Sequence, residues 1–166
     1  MWKLWSLLAL VTLSLGLGGC IEKSSQELHF ETISQSNSAN WEDREPGLVI
    51  IDSAEEAKEV LPFIQNDDKA ILGLNQLDFS NQFAILAFRG WQPTVLSGFQ
   101  VDHIVRQGRT VTFRAKSGEL DGQDMVTSPY HLVKVHKDET WGRTYTFKLY
   151  FDEMQQDAVS ITHYVQ

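Results

Sequence analysis

With a single cysteine in 166 residues, this chain has no means to form an intrachain disulfide, a CxxC redox couple or a multi-thiolate zinc site. Basic residues are scarce as well. Fourteen Lys and Arg stand against 22 Asp and Glu, a formal net charge of -8, which is the wrong sign for a surface that must neutralise phosphates, so a nucleic-acid partner is excluded. There are four prolines, no internal repeat and no low-complexity block. The signatures G-x-S-x-G, S-x-x-K, H-E-x-x-H and the P-loop are all absent, so the residues name no nucleophile, zinc ligand pair or phosphate cradle. No catalytic residue, metal or cofactor is expected. What is present is 42% hydrophobic and 22% charged, the composition of a globular chain with about one domain's worth of core.

The cysteine stands at the end of an apolar run. Met1-Trp2-Lys3 opens the chain, Leu7 to Leu17 is almost wholly apolar, and Gly18-Gly19-Cys20 closes it, the order of a basic start, a hydrophobic stretch and a small-residue cleavage site. Leu4 to Gly19 is shorter than the roughly 20 residues a membrane-spanning helix needs, so residues 1–19 read as a leader rather than an anchor helix. Leu17-Gly18-Gly19-Cys20 resembles the bacterial lipobox, which implies that the thiol of Cys20 takes diacylglycerol and that cleavage before it leaves 147 of the 166 residues. Several acyl chains, at about 0.8 kcal/mol per buried methylene, would hold the protein at a membrane. Glu22, not aspartate, follows Ile21, so the common inner-membrane retention signal is missing. The expected location is the bacterial cell envelope, and in a Gram-negative cell the outer membrane.

Residues 20–40 read as a lipid-anchored tether containing a short first strand at Leu28, Phe30 and Ile33, followed by the polar stretch Ser34 to Asn40. Residues 41–166 read as one β-rich domain. Leu48 to Ile51 is a strand-length apolar run, and Ser53 with Glu56 forms a capping box that starts a helix near 53–66, which Pro62 kinks or ends. Phe83 to Phe88 (FAILAF) reads as a central strand buried on both faces. Phe99, Val101, His103 and Val105 share one face, and Gln107-Gly108 joins that strand to the alternation Val111, Phe113, Ala115 as a hairpin. Leu132 to Val135, Tyr145 to Phe151 and Val159 to Val165 supply three more strands, with Tyr145, Phe147, Leu149 and Phe151 on one side. The expected fold is α+β, mainly β: an antiparallel sheet, as a sandwich or a partly closed barrel, with one helix.

Of five histidines, His131 and His136 fall on opposite faces of a strand and His103 reads as a core histidine. Asp43-Arg44-Glu45, Asp67-Asp68 and Asp152-Glu153 read as solvated loop ends. Trp41, Trp91 and Trp141 lie near turn residues, where they either cap the core or anchor a partner.

Phe79-Ser80 before the FAILAF strand, Gly98-Phe99 opening the next one, and Thr127 to Val135 (TSPYHLVKV) occur in that order. From about Glu45 to Lys137 the chain thereby resembles the PrcB C-terminal-like family, named for a lipoprotein subunit that stabilises a surface protease complex. It departs from the family's PTGGY-like loop, carrying Pro93 to Phe99 (PTVLSGF) there. The resemblance implies a non-enzymatic, lipid-anchored envelope protein that binds and stabilises, or modulates, a secreted or surface protein, a protease included. The expected contact residues are Trp91, Leu96, Gly98, Phe99, Ser128, Pro129 and Tyr130. A small-ligand binder or hydrolase of the envelope, with a site assembled only in three dimensions, is the alternative.

Overall fold

The computed structural model describes residues 24–93, 98–118, 125–152 and 156–166; Cys20 and Leu96 lie outside them. Nine strands and two short helices follow in the order β1 (Ser25–Glu27), β2 (Phe30–Ser36), β3 (Gly47–Ile51), α1 (Ala54–Val60), α2 (Asp68–Asn75), β4 (Gln82–Phe88), β5 (Gln100–Gln107), β6 (Thr110–Lys116), β7 (Tyr130–His136), β8 (Arg143–Phe151) and β9 (Gln156–Val165). Two sheets result, β1-β5-β6-β8-β9 and β2-β7-β4-β3. They are here called sheet A and sheet B. The fold is thus mainly β with a helical cover, a sandwich not closed into a barrel. Among the described residues no helix is long and apolar enough to cross a membrane.

Why FAILAF is apolar throughout follows from the layers. Phe83, Ile85 and Ala87 face sheet A and join Val111, Phe113, Ala115, Tyr145, Phe147, Leu149 and Phe151 in one core. Ala84, Leu86 and Phe88 face the other way and pack with Ala57, Val60, Ile64, Ala70 and Leu74 from the helical cover. A strand covered on both faces has no polar side to offer. The central position of β4, between β7 and β3, accords with this reading.

The capping box forms as the spacing predicts. Ser53 Oγ accepts from the Glu56 amide at 3.2 Å, and Glu56 Oε2 accepts from the Asp52 amide at 2.6 Å. Pro62 then ends α1, and Leu61–Phe63 is a single 3-10 turn. A second helix follows where a loop end was expected, which corrects the one-helix reading. Asp67 is its N-cap, accepting from the Ala70 amide at 3.0 Å. The same carboxylate accepts from Ser34 Oγ at 2.6 Å and from the Tyr130 hydroxyl, so Asp67 ties α2 to sheet B. Burial raises its pKa, but the bonds from Ser34, Tyr130 and the Ala70 and Lys69 amides outweigh that and hold the carboxyl below its ordinary range. Asp67→Ala removes a cap and leaves the buried Tyr130 hydroxyl without its partner, so a loss of about 2–4 kcal/mol is expected. Urea titration of the variant against the parent checks this.

Three further differences have physical causes. First, β6 and β8 pair in parallel, Val111 beside Phe147 and Phe113 beside Leu149, because β7, which lies between them in sequence, belongs to the other sheet. Second, a bulge between Val101 and His103 shifts the pairing of β5 with β6. The extra residue reverses the side-chain phase, so Ile104 and Arg106 point inward and His103 stands 51% exposed beside Asp102. His103 is therefore not a core histidine. Third, β1 pairs with β5 in sheet A and β2 with β7 in sheet B, so residues 25–36 run from one sheet into the other.

Candidate functional site

An open groove of about 490 Å³ lies at one end of the sandwich. Three segments build it: residues 37–42 after β2, Trp91 after β4, and residues 125–128 before β7. Reciprocal backbone bonds clamp Gln92 to Thr127, at 2.8 and 2.9 Å. Ser128 is bound through its amide to the Asn37 carbonyl at 2.9 Å, and its hydroxyl donates to the Trp41 carbonyl at 3.1 Å. The two loops expected to carry recognition are thus brought side by side.

Aromatic packing sets the groove's base. Trp41 stacks on Phe88 with ring centroids 4.4 Å apart and meets Phe63 edge-on at 5.4 Å. Gly47 permits this: a Cβ on it would lie 2.6 Å from Trp41 Cζ2. Trp91 is half-buried, with the Arg44 guanidinium 5.0 Å above its ring. Gly90, at φ +86°, lets the chain pass against the Arg44 carbonyl, where any Cβ would collide. On the rim, Met125 and Val126 are 55% and 58% exposed. Among the described residues, Glu42 is the one ionisable residue lining the groove.

Of the expected contact residues, Trp91 and Ser128 line the groove. Gly98 is exposed with φ +78°. Phe99, Ser128, Pro129 and Tyr130 are buried. Phe99 packs into the inter-sheet core, and Tyr130 lies under the helices with its hydroxyl on Asp67; there, burial and then the neighbouring carboxylate push the phenol's pKa well up. Sequence reasoning missed Met125 and Val126, although two adjacent apolar residues in a loop of otherwise polar residues are a signal of exposure.

Trp141 caps the core, edge-on to Phe83 at 4.9 Å and under the Arg106 guanidinium at 4.8 Å. His131 and His136 do fall on opposite faces, His136 exposed and His131 buried. His131 Nδ1 accepts from the Val101 amide at 2.9 Å, so the ring carries its proton on Nε2, which lies 2.9 Å from Thr32 Oγ1. Lys137 and Asp52 form a buried pair at 2.5 Å, with the ammonium also donating to the Phe79 carbonyl at 2.6 Å and Asp52 accepting from the Gln166 amide. Both charges are spent on holding chain segments together. Among the described residues, no group of three or more His, Cys, Asp or Glu is placed to hold a metal ion.

The class these features define is an α+β sandwich whose one end is an open, aromatic-based groove. Comparison with protein-family models, with curated proteins and with solved structures returns no match to this chain.

Proposed function

We propose that the protein is a lipid-anchored, non-enzymatic module of the bacterial cell envelope that binds and stabilises, or modulates, a protein partner through this groove. The observation that carries the reading is the exposed apolar rim of Met125 and Val126 beside the half-buried Trp91. Apolar side chains rimmed by polar ones are the usual form of a protein contact. The likeness of Thr127 to Val135 to the PrcB C-terminal-like family supports a protease, or a protease-bound protein, as the partner. The Leu17 to Cys20 segment supports the anchor.

Capture from detergent-solubilised envelope, with the full-length acylated chain as bait, tests the reading. Trp91→Ser and Val126→Ser are each expected to lower recovery of the specific partner by about tenfold, the scale of an interface anchor. Val126 touches little of the core, so its variant should melt with the parent. Undiminished capture by both variants would overturn the groove as the contact site, and loss of capture in step with loss of melting temperature would assign Trp91 to the core.

A further inference from the structure

The direction of the strands places the start of β1 and the groove at opposite ends. β1 begins at Ser25, opposite Gln107 at the far end of β5. From there β1 and β2 run onward as one path to Ser36, about 35 Å of strand at roughly 3.3 Å per residue, and deliver the chain to the groove segment 37–42. β5 returns antiparallel, from Phe99 to the turn at Gly108-Arg109. The start of β8 lies at that same end, since β8 runs parallel to β6.

Resting on the acylation of Cys20 proposed above, we infer that this corner of sheet A, carrying Arg109 and Arg143, is seated on anionic lipid headgroups, so that the groove is held away from the bilayer. Chain length brings the corner there. Cys20 to Ser24 is four residue steps, at most about 14 Å fully extended, little more than the distance over which a charged membrane surface is felt at physiological salt. Arg109 and Arg143 are exposed, and neither guanidinium has a side-chain partner among the described residues. Beside Arg143 opens a polar hollow of about 260 Å³, bounded by Ser24, Arg106, Gly108 and Arg143. Arg106 itself is committed to Asp138 at 2.9 Å and Gln26 at 2.5 Å, leaving the outer two free to meet phosphate oxygens. Acidic groups stand nearby: Glu27 on β1, Glu139 in the β7–β8 loop, and Glu55 and Asp78 on the sheet B half of the same end. An anionic surface repels them, and repulsion of the sheet B half tilts the arginine corner toward the bilayer.

Because Cys20 is the chain's one cysteine, acylation leaves an introduced thiol as the only reactive one. Full-length acylated protein is reconstituted in vesicles of phosphatidylethanolamine and phosphatidylglycerol carrying a headgroup nitroxide. A bimane label is placed at Arg109→Cys, at Thr144→Cys, which keeps both arginines, or at Val126→Cys on the groove rim. Quenching at 109 and 144 is expected to exceed that at 126 by at least about fivefold, and to fall about twofold or more at 144 when phosphatidylcholine replaces phosphatidylglycerol. Equal quenching at all three positions, with the acyl mass confirmed on Cys20, overturns the orientation and leaves the anchor standing. Quenching at 144 indifferent to lipid charge overturns the headgroup contact. A Cys20 peptide without acyl mass removes the anchor and the inference with it.

Discussion

Truncation of Phe113 to alanine is expected to destabilise the domain by about 3–5 kcal/mol, the cost of deleting a large aromatic from a packed core. Phe113 is fully buried between the sheets and lies parallel to Phe147, with ring centroids 6.0 Å apart. Its neighbours on β8 are held by parallel pairing, Phe113 beside Leu149, and cannot slide along the strand to fill the space without breaking the ladder. A cavity therefore persists, and dispersion contacts are lost along with the transfer free energy. For a domain of this size the melting temperature should fall by roughly 10–20 °C. Thermal melting followed by circular dichroism measures it, with Val126→Ala as the exposed control expected to shift by no more than about 2 °C. A Phe113→Ala melt within the control's range would show that the two sheets do not share one core.

Mild acid should unfold the protein through His131. Burial alone pushes this imidazole's pKa down to about 4, against about 6.5 in an unfolded chain. Between those values the unfolded state binds a proton that the folded state refuses, so stability declines as pH falls from about 6.5 to about 4 and His131 contributes no further slope below that. The depressed pKa corresponds to about 3 kcal/mol in total. Geometry gives the same sign. Protonation at Nδ1 converts the acceptor of the Val101 amide into a donor facing a donor, at the seam where β7 of sheet B meets β5 of sheet A. Unfolding free energies from urea titrations at pH 7 and pH 4.5 are expected to differ by most of that amount, and His131→Gln should flatten the difference. An unchanged pH slope in the variant would assign the acid sensitivity to other groups.

These two residues show how unevenly the fold was legible. Phe113 announces itself: Val111, Phe113 and Ala115 alternate with polar residues, and period-two alternation is written by the strand's own geometry. His131 gives no such notice. The spacing to His136 places the two on opposite faces, but which face is dry depends on sheet A covering sheet B, a contact between residues distant in sequence. His103 misled for a related reason. Its neighbours Val101 and Val105 suggest an inward position, and one inserted residue at the bulge turns it out to solvent. Bulges arise where two strands must bend over a core, and neither strand alone encodes the bend.

By itself the sequence determined what depends on near neighbours: the capping box at Ser53 and Glu56, the hairpin at Gln107-Gly108, the end of α1 at Pro62, the inward row on β8, and the two-sided burial of FAILAF. Each is specified within a few residues, by one hydrogen bond, one ring or one alternation. The pairing of β6 with β8, the joining of the sheets by β1 and β2, and the capture of Asp67 by Ser34 and Tyr130 were decided only by tertiary structure. So was the groove. Its three segments, at 37–42, 91 and 125–128, meet because antiparallel strands return their ends to one place. Phe99 and Tyr130 are buried while Met125 and Val126 stand exposed on the groove's rim, and burial is set by what packs on top of a residue rather than by the residue itself.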